Sequence, residues 1–538
     1  MAAPYKTPGV YVEEISTLPA SVAQVATAIP AFIGYTEKAV RDGQDLSFKP
    51  IRITTLLEYK ELFGGPKRVE IDVRTTPTLS AHVHEEPKHF MFHNMEIYFN
   101  NGGGPCYIVS IGDYSGVPAK ADFEKGIDKV ALEDEPTLFV FSEAVSLGSD
   151  YFGLCTRVLT QCNNLQDRFG IFDVQNEDDD PFGFDFRGGI GTEYLKYGAA
   201  YYPYLETSLN YAYEDSDVSL HEDHTFSTSG SNGLTFSSPT HGMKVKVVEN
   251  TVDATIKFSF NKKVLTISVV KGANAPTAAQ LVAAWDLVAE KNNLSIVVKG
   301  NGSDAVALTT TDYALVAPAG SVTLDSKKTS DTALYNEIKA EINKLRITLP
   351  PSGAIAGVYA RVDSNRGVWK APANVSLNNV VKPSIKISHL DQENLNVHTT
   401  GKSINAIRSF TGKGVMVWGA RTLAGNDNEW RYIPVRRLFN MVEESVKKAT
   451  EFVVFEPNDA NTWVRTKAMI ENYLTGLWRA GALAGAKPDQ AFFVNVGLGT
   501  TMTPQDILEG RMNIEIGMAA VRPAEFIILK FSHKLQEA

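Results

Sequence analysis

Thr137 to Val174 runs TLFVFSEAVSLGSDYFGLCTRVLTQCNNLQDRFGIFDV. Its two ends, Thr137–Phe141 (TLFVF) and Arg168–Val174 (RFGIFDV), are short apolar runs rich in aromatic and β-branched residues, the mark of buried strands. Tyr151–Leu165 between them is predicted helical. Cys155 and Cys162 lie seven apart in its apolar pattern and are expected to be buried thiols. Upstream, Cys106–Ile111 (CYIVSI) is another strand. Strands alternating with a helix predict a βαβ unit and a partly parallel sheet.

Moving toward the N-terminus, Phe90–Phe99 carries an apolar stripe that Asn101-Gly102-Gly103-Gly104-Pro105 breaks. Thr54–Phe63 reads as a helix with a Thr cap, ending at Gly64-Gly65, and Val22–Tyr35 is apolar. Residues 1–20 differ: Pro4, Pro8 and Pro19 bracket Val10-Tyr11-Val12-Glu13-Glu14-Ile15, an extended arm with one short strand that needs a partner sheet.

Toward the C-terminus, Ser, Thr, Gly and Asn rise over residues 206–330. Ile256, Phe258 and Phe260 alternate with polar residues, as do Leu265, Ile267 and Val269, with Asn261-Lys262-Lys263 as a hairpin turn between them. A helix near Thr277–Glu290 and a strand near Ser295–Lys299 complete an inserted α+β module. Beyond Gly353, helices are expected near Val435–Thr450 and Ala460–Ala480. Strands are expected near Glu451–Phe455, Ala491–Val496, Met512–Met518 and Glu525–Ser532. Both chain ends are therefore strand-like.

The 538 residues exceed one ordinary core and imply two to four domains. A net charge of −10 disfavours a nucleic-acid coat, which needs a basic face. Three cysteines without a CxxC pair argue against a disulfide framework or thiolate zinc site. The opening MAAPYKTPGVYVEE lacks the pattern of a secretory signal, and no apolar run has the roughly 18 residues of a membrane span. Synthesis in the cytoplasm is expected, with no membrane insertion.

Motifs for catalysis are weak. Thr399-Thr400-Gly401-Lys402-Ser403 suggests a phosphate loop, but Asn396 stands where its first glycine is required. His82, His84, His89 and His93 fall within twelve residues, and His89 and His93 could share a helix face and a metal. A solvated histidine patch is the competing reading, and the HExxH arrangement is missing. Glu177-Asp178-Asp179-Asp180 lacks calcium-loop spacing and reads as an acidic turn. No catalytic residue, cofactor or metal site is assigned.

Pro8-Gly9-Val10-Tyr11-Val12-Glu13-Glu14, the Ala28–Gly34 stretch (AIPAFIG), Asn100–Val109, Arg168–Asp173 and Ala199–Leu205 follow one another in the order found in contractile tail sheath proteins of phages, pyocins and extracellular injection systems. Five ordered C-terminal blocks resemble that family more strongly. They are Pro350–Arg361 with Arg366–Asn374, Trp418–Leu423, Glu429–Ile433 with Arg436-Arg437, Phe455–Asn458, and Arg522–Phe526. The resemblance covers roughly 1–205 and 335–538 and leaves out 206–330.

The resemblance implies a mixed α/β, multidomain tail-sheath fold, with a C-terminal α/β domain completed by strand exchange between subunits. Its parts would be a linker arm at 1–20, a middle domain at 21–205 to which 335–355 returns, the inserted outer module at 206–330, and an inner C-terminal domain at 356–538 ending in an exchanged strand. The implied function is a non-enzymatic subunit that polymerises as helical six-fold rings around an inner tube and contracts. Its partners would be itself, an inner tube protein, and baseplate and terminal cap proteins, with no nucleic acid. It would belong to a phage tail or a tail-like particle, reaching the outside of the cell by lysis. Two arms are expected to join neighbours: Val10, Tyr11, Val12, Glu13, Glu14 and Ile15, and Phe526, Ile527, Ile528, Leu529, Lys530 and Phe531. Arg436, Arg437, Lys447 and Lys448 on one predicted helix are candidates to face an acidic inner tube. The rival is an adhesin or glycan-binding protein whose target site is the 206–330 module.

Overall fold

The structure, a computed structural model, describes residues 22–529 apart from 76–78, 176–183, 222–223, 229–231, 239–241, 251–254, 290, 309–312 and 316–321. The chain gathers into two compact units, one from the described parts of 1–63, 94–205 and 350–538, the other from 64–93 and 206–349.

The first unit is organised by a nine-stranded sheet. Its strands are β1 (Pro30–Thr36), β2 (Ile51–Ile53), β3 (Cys106–Asp113), β4 (Leu138–Val140), β5 (Phe169–Asp173), β6 (Gly198–Tyr202), β7 (Val375–Ser376), β8 (Ile404–Phe410) and β9 (Gly414–Val417). Their spatial order is β7-β9-β8-β6-β5-β4-β1-β3-β2. From β8 to β3 every pairing is parallel, and antiparallel strands close both sides. The βαβ expectation holds: β4 and β5 pair in parallel, joined through the helix Asp150–Leu165. Strands β7 to β9 extend this sheet although the sequence reading places them in the 356–538 domain. Parallel pairing joins segments far apart in the chain, as Ala200 opposite Ile404 illustrates.

Both faces of the sheet are covered, as parallel sheets require. Ala31, Ile33 and Tyr35 of β1 face a core containing Phe123 and Ile127 from the helix Lys120–Val130, and Leu154, Cys155, Val158 and Cys162 from Asp150–Leu165. Phe32 points the other way, with its ring 5.0 Å from that of Tyr98. On that face the Tyr201 and Tyr359 hydroxyls meet at 2.8 Å, Tyr359 lying on the helix Ser352–Arg366. A Cβ on Gly357 would come within 2.5 Å of the Tyr98 carbonyl oxygen, so glycine permits this helix approach. Asp173 at the end of β5 caps the same helix, accepting from the Ser352 backbone N–H at 2.7 Å and its hydroxyl at 2.5 Å.

Local signals are met where they are strong. Helix Leu56–Phe63 opens with Thr55 Oγ1 accepting from the Glu58 N–H while Glu58 Oε2 accepts from the Thr54 and Thr55 N–H groups. It stops at Gly64, whose φ is +86°.

In the second unit, residues 224–315 have their own core. Leu234, Phe236, Val245, Val247, Leu265 and Ile267 surround Trp285. The hairpin is where the alternation places it: Asn261 pairs with Val264, and Lys262 in the turn has φ +54°. The helix is Ala278–Asp286, opened by a Thr277–Gln280 capping box. A separate sheet pairs Ile71–Arg74 with Ser80–Val83 and with Val218–His221, which also pairs with Val322–Thr323. The module boundary read at 206 therefore crosses a sheet that the segment 64–93 completes, a nonlocal pairing that composition does not register.

Candidate assembly interface

The C-terminal part of the first unit is built on the helices Ile433–Thr450 and Ala460–Arg479. Leu438, Met441 and Val442 of the first pack with Met469, Ile470 and Leu474 of the second. The strands Phe492–Val496 and Ile514–Met518 form an antiparallel ladder in the register Phe492–Met518, Val494–Ile516 and Val496–Ile514. Val494 is buried in the helix core, while Phe493 is half exposed and lays its ring over Gly517. A Cβ at position 517 would lie 2.2 Å from that ring and push it aside. Among the described residues this ladder has two strands and no third, leaving an open edge on each side.

Beyond the ladder, the Val521 N–H donates to the Ala482 carbonyl and the Arg522 guanidinium to the Asn428 carbonyl at 2.9 Å. Glu525 follows, half buried. It accepts from Arg421 Nε at 2.9 Å and from its terminal nitrogen at 2.6 Å, from Asn396 Nδ2 at 2.6 Å and from the Tyr432 hydroxyl at 3.2 Å. Burial pushes the Glu525 carboxyl up, but these hydrogen bonds and the Arg421 charge outweigh it and hold it below the usual carboxylate range. Phe526, Ile527, Ile528 and Leu529 then run without regular structure, 70–79% exposed. Lys530 and Phe531, and the whole arm Val10, Tyr11, Val12, Glu13, Glu14 and Ile15, lie outside the described residues.

Arg436 and Arg437 are not placed to face a partner, which corrects that expectation for both. Arg436 is buried, with Nε on Asn440 Oδ1 at 2.7 Å and a terminal nitrogen on Glu443 at 2.9 Å. Its guanidinium lies 4.2 Å from the Trp430 ring centroid. Arg437 forms a buried pair with Asp363 at 2.5 Å and donates to the Thr27 carbonyl at 2.7 Å. A guanidinium stays charged, so it is tolerated on the inner face of an amphipathic helix only when paired like this. Lys447 is largely exposed, 3.3 Å from Glu444. Lys448 reaches Asp134 at 2.9 Å; burial lowers its pKa, but Asp134 and Glu444 outweigh this and raise it.

Two other expectations change. Glu451–Phe455 is not a strand: Glu451–Val453 is a short 3₁₀ turn continuing the preceding helix, and Phe455 is fully exposed with φ +70°. β-prone residues without a pairing partner nearby follow the helix end instead. His89 precedes the helix Met91–Asn100 that carries His93, so the two do not share a helix face. His84 Nδ1 lies 2.7 Å from Asp72, and among the described residues no three His, Cys, Asp or Glu side chains converge as a metal site. Lys402 of the TGKS stretch is buried and donates to the Arg187 carbonyl. Glu177–Asp180 lies outside the described residues. Among the described residues no helix is long and apolar enough to cross a membrane. The Arg421–Glu525 pair escaped the sequence reading, since 104 residues separate its members.

Family models match in two blocks: the phage tail sheath protein central domain over residues 265–423 and the phage tail sheath C-terminal domain over 425–534, together half of the chain. The central-domain match begins inside 206–330, so the family extends into a module that the quoted motifs leave out. The chain is 28% identical over 140 residues to the tail sheath protein of Vibrio phage KVP40, covering 25% of this chain and 20% of the relative. For the tail sheath protein of Enterobacteria phage T4 it is 28% over 137 residues, again 25% and 20%. For that of Burkholderia phage BcepMu it is 27% over 194 residues, covering 34% and 40%. The chain thus spans a fifth to two fifths of the length of these curated relatives. Among solved structures, a chain of the anti-feeding prophage baseplate matches at TM-score 0.57 and 28% identity, covering 99% of this chain and 100% of that one. A chain of the PVC sheath complex of an extracellular contractile injection system, in its contracted state, matches at TM-score 0.57 and 27% identity, covering 99% of each.

Proposed function

Because the chain belongs to the phage tail sheath family, we propose that it is a structural subunit of a contractile sheath, polymerising as stacked six-fold rings around an inner tube and shortening to drive that tube forward. The observation that carries this reading is the juxtaposition, in one subunit, of a two-stranded ladder with open edges and an exposed apolar segment at Phe526–Leu529. A strand-forming segment in water is unstable alone, and an open ladder is its natural acceptor. Exchange between copies would satisfy both and leave every subunit linked. Each added strand contributes about four to six backbone hydrogen bonds at roughly 0.5–1.5 kcal/mol net apiece. Such bonds tolerate rigid-body rotation of the bodies they link, which a lattice that changes length requires.

In this reading the sheath consumes no fuel and acts as no enzyme. Free energy is stored as the difference between extended and contracted contacts, and a trigger at one end, from a baseplate, tips each ring in turn. A cap would close the other end. The inner tube would be held by weak exposed charges, for which Lys447 and Lys448 remain the candidates.

The test is removal of residues 1–20, followed by sedimentation and negative-stain microscopy. A folded subunit that forms no cylinders is expected. Normal sheaths from the truncated chain would eliminate the interlocking-arm mechanism.

A further inference from the structure

We infer that Arg421 and Glu525 form a clasp that fixes where the C-terminal arm leaves the subunit, positioning Phe526–Leu529 for the neighbour that receives it. The inference rests on the proposed strand exchange and adds a positioning device to it.

Glu525 is the last described residue hydrogen-bonded to the body of the unit. The four residues beyond it are 70–79% exposed. The change from held to free therefore takes place across one peptide bond. The clasp's holding side is rigid. Arg421 is only 4% exposed, and its backbone pairs with Tyr432, so two of the donors to Glu525 come from one bridge. The Arg421 N–H donates to Asn405 Oδ1 at 2.8 Å, and Asn405 Nδ2 donates to the Arg421 carbonyl at 2.8 Å and to the Ala200 carbonyl at 3.1 Å. Asn405 belongs to β8 and Ala200 to β6, neighbours in the sheet. Glu525 is thus connected through Arg421 and Asn405 to the sheet strands β8 and β6.

Two planar groups paired through two hydrogen bonds define a direction, which a single contact does not. Fixing the arm's exit before a neighbour arrives reduces the conformational entropy lost on association. A pair that serves folding alone would matter equally with the arm absent.

The experiment uses the full chain with Glu525→Gln and, as a second variant that keeps the charge at position 421, Arg421→Lys. A chain lacking 526–538 is the reference. Three quantities are read: urea unfolding, amide hydrogen exchange across 519–525, and the critical concentration for polymerisation. Both variants are expected to exchange faster at 519–525 and to polymerise at about tenfold higher concentration, more than any drop in their unfolding midpoint accounts for. If the reference chain polymerises normally, the strand-exchange reading fails, and the clasp has no role to play. If the reference does not polymerise but both variants do so at the parental concentration, the clasp alone is overturned. A loss of polymer that only tracks a lower unfolding midpoint in both variants also overturns it, in favour of a folding role.

Discussion

Strands β1, β4, β5 and β6 are buried at every position, whereas Lys257–Asn261 in the second unit is nowhere fully buried and Val264–Val269 is buried at alternate positions. The first pattern comes from a parallel sheet clothed on both faces, the second from strands that cover one side of a small core. The difference is one of consequence as well as of pattern. A two-sided sheet resists shear and can carry load between distant attachments. A one-sided module adds surface, with a core of its own that can loosen without disturbing the sheet.

Deletion gives the sharpest test of that contrast. Excising 224–315, which have their own core, is expected to leave a folded chain that still polymerises. Excising 215–325 is expected to yield insoluble protein, because it also strips Val218–His221 from the fully buried Ile71 and Val73. Solubility and microscopy of the two deletions check this; equal behaviour would break the comparison.

Next in size is Arg437→Ala in the first unit. It leaves Asp363 buried without its cation and should cost about 3–5 kcal/mol in urea unfolding. Substituting Arg68, in an exposed pair with Asp217 in the second unit, should cost no more than about 1 kcal/mol.

A smaller, pH-dependent effect is expected at Asp173. Burial pushes its carboxyl up to about 7, against hydrogen bonds from Ser352 and Ser142. The ordinary unfolded value is about 3.9. Between these values the folded chain holds a proton that the unfolded chain has released, so stability from this group falls as pH rises from about 4 to 7 and levels above. Asp173→Asn removes the dependence. Its stability relative to the parent should improve across that window, as urea midpoints at pH 4.5 and 8 would reveal.

The smallest effect on stability belongs to Lys447→Glu with Lys448→Glu, about 0–1 kcal/mol for such exposed pairs. The same double variant should impair extended sheath on tubes while sparing contracted sheath. Normal extended particles would remove these lysines from the tube contact.

The family, the βαβ unit and most helices were legible in sequence because each rests on local pattern: apolar runs, the Thr54–Glu58 cap, the Lys262 turn, the ordered motif blocks. The site was legible only in part. Phe526–Leu529 announced itself as an apolar segment near a terminus, but Arg436 and Arg437 read as charges for an acidic inner tube. A helix's inner face is known only when something packs on it, and Asp363 and Thr27 come from elsewhere in the chain. Local pattern sets what each segment can become. That Arg437 is buried against Asp363, that β8 and β9 extend the sheet of β1, and that Glu525 is held by Arg421 follow from packing, because those partners lie 74 residues or more apart in the chain.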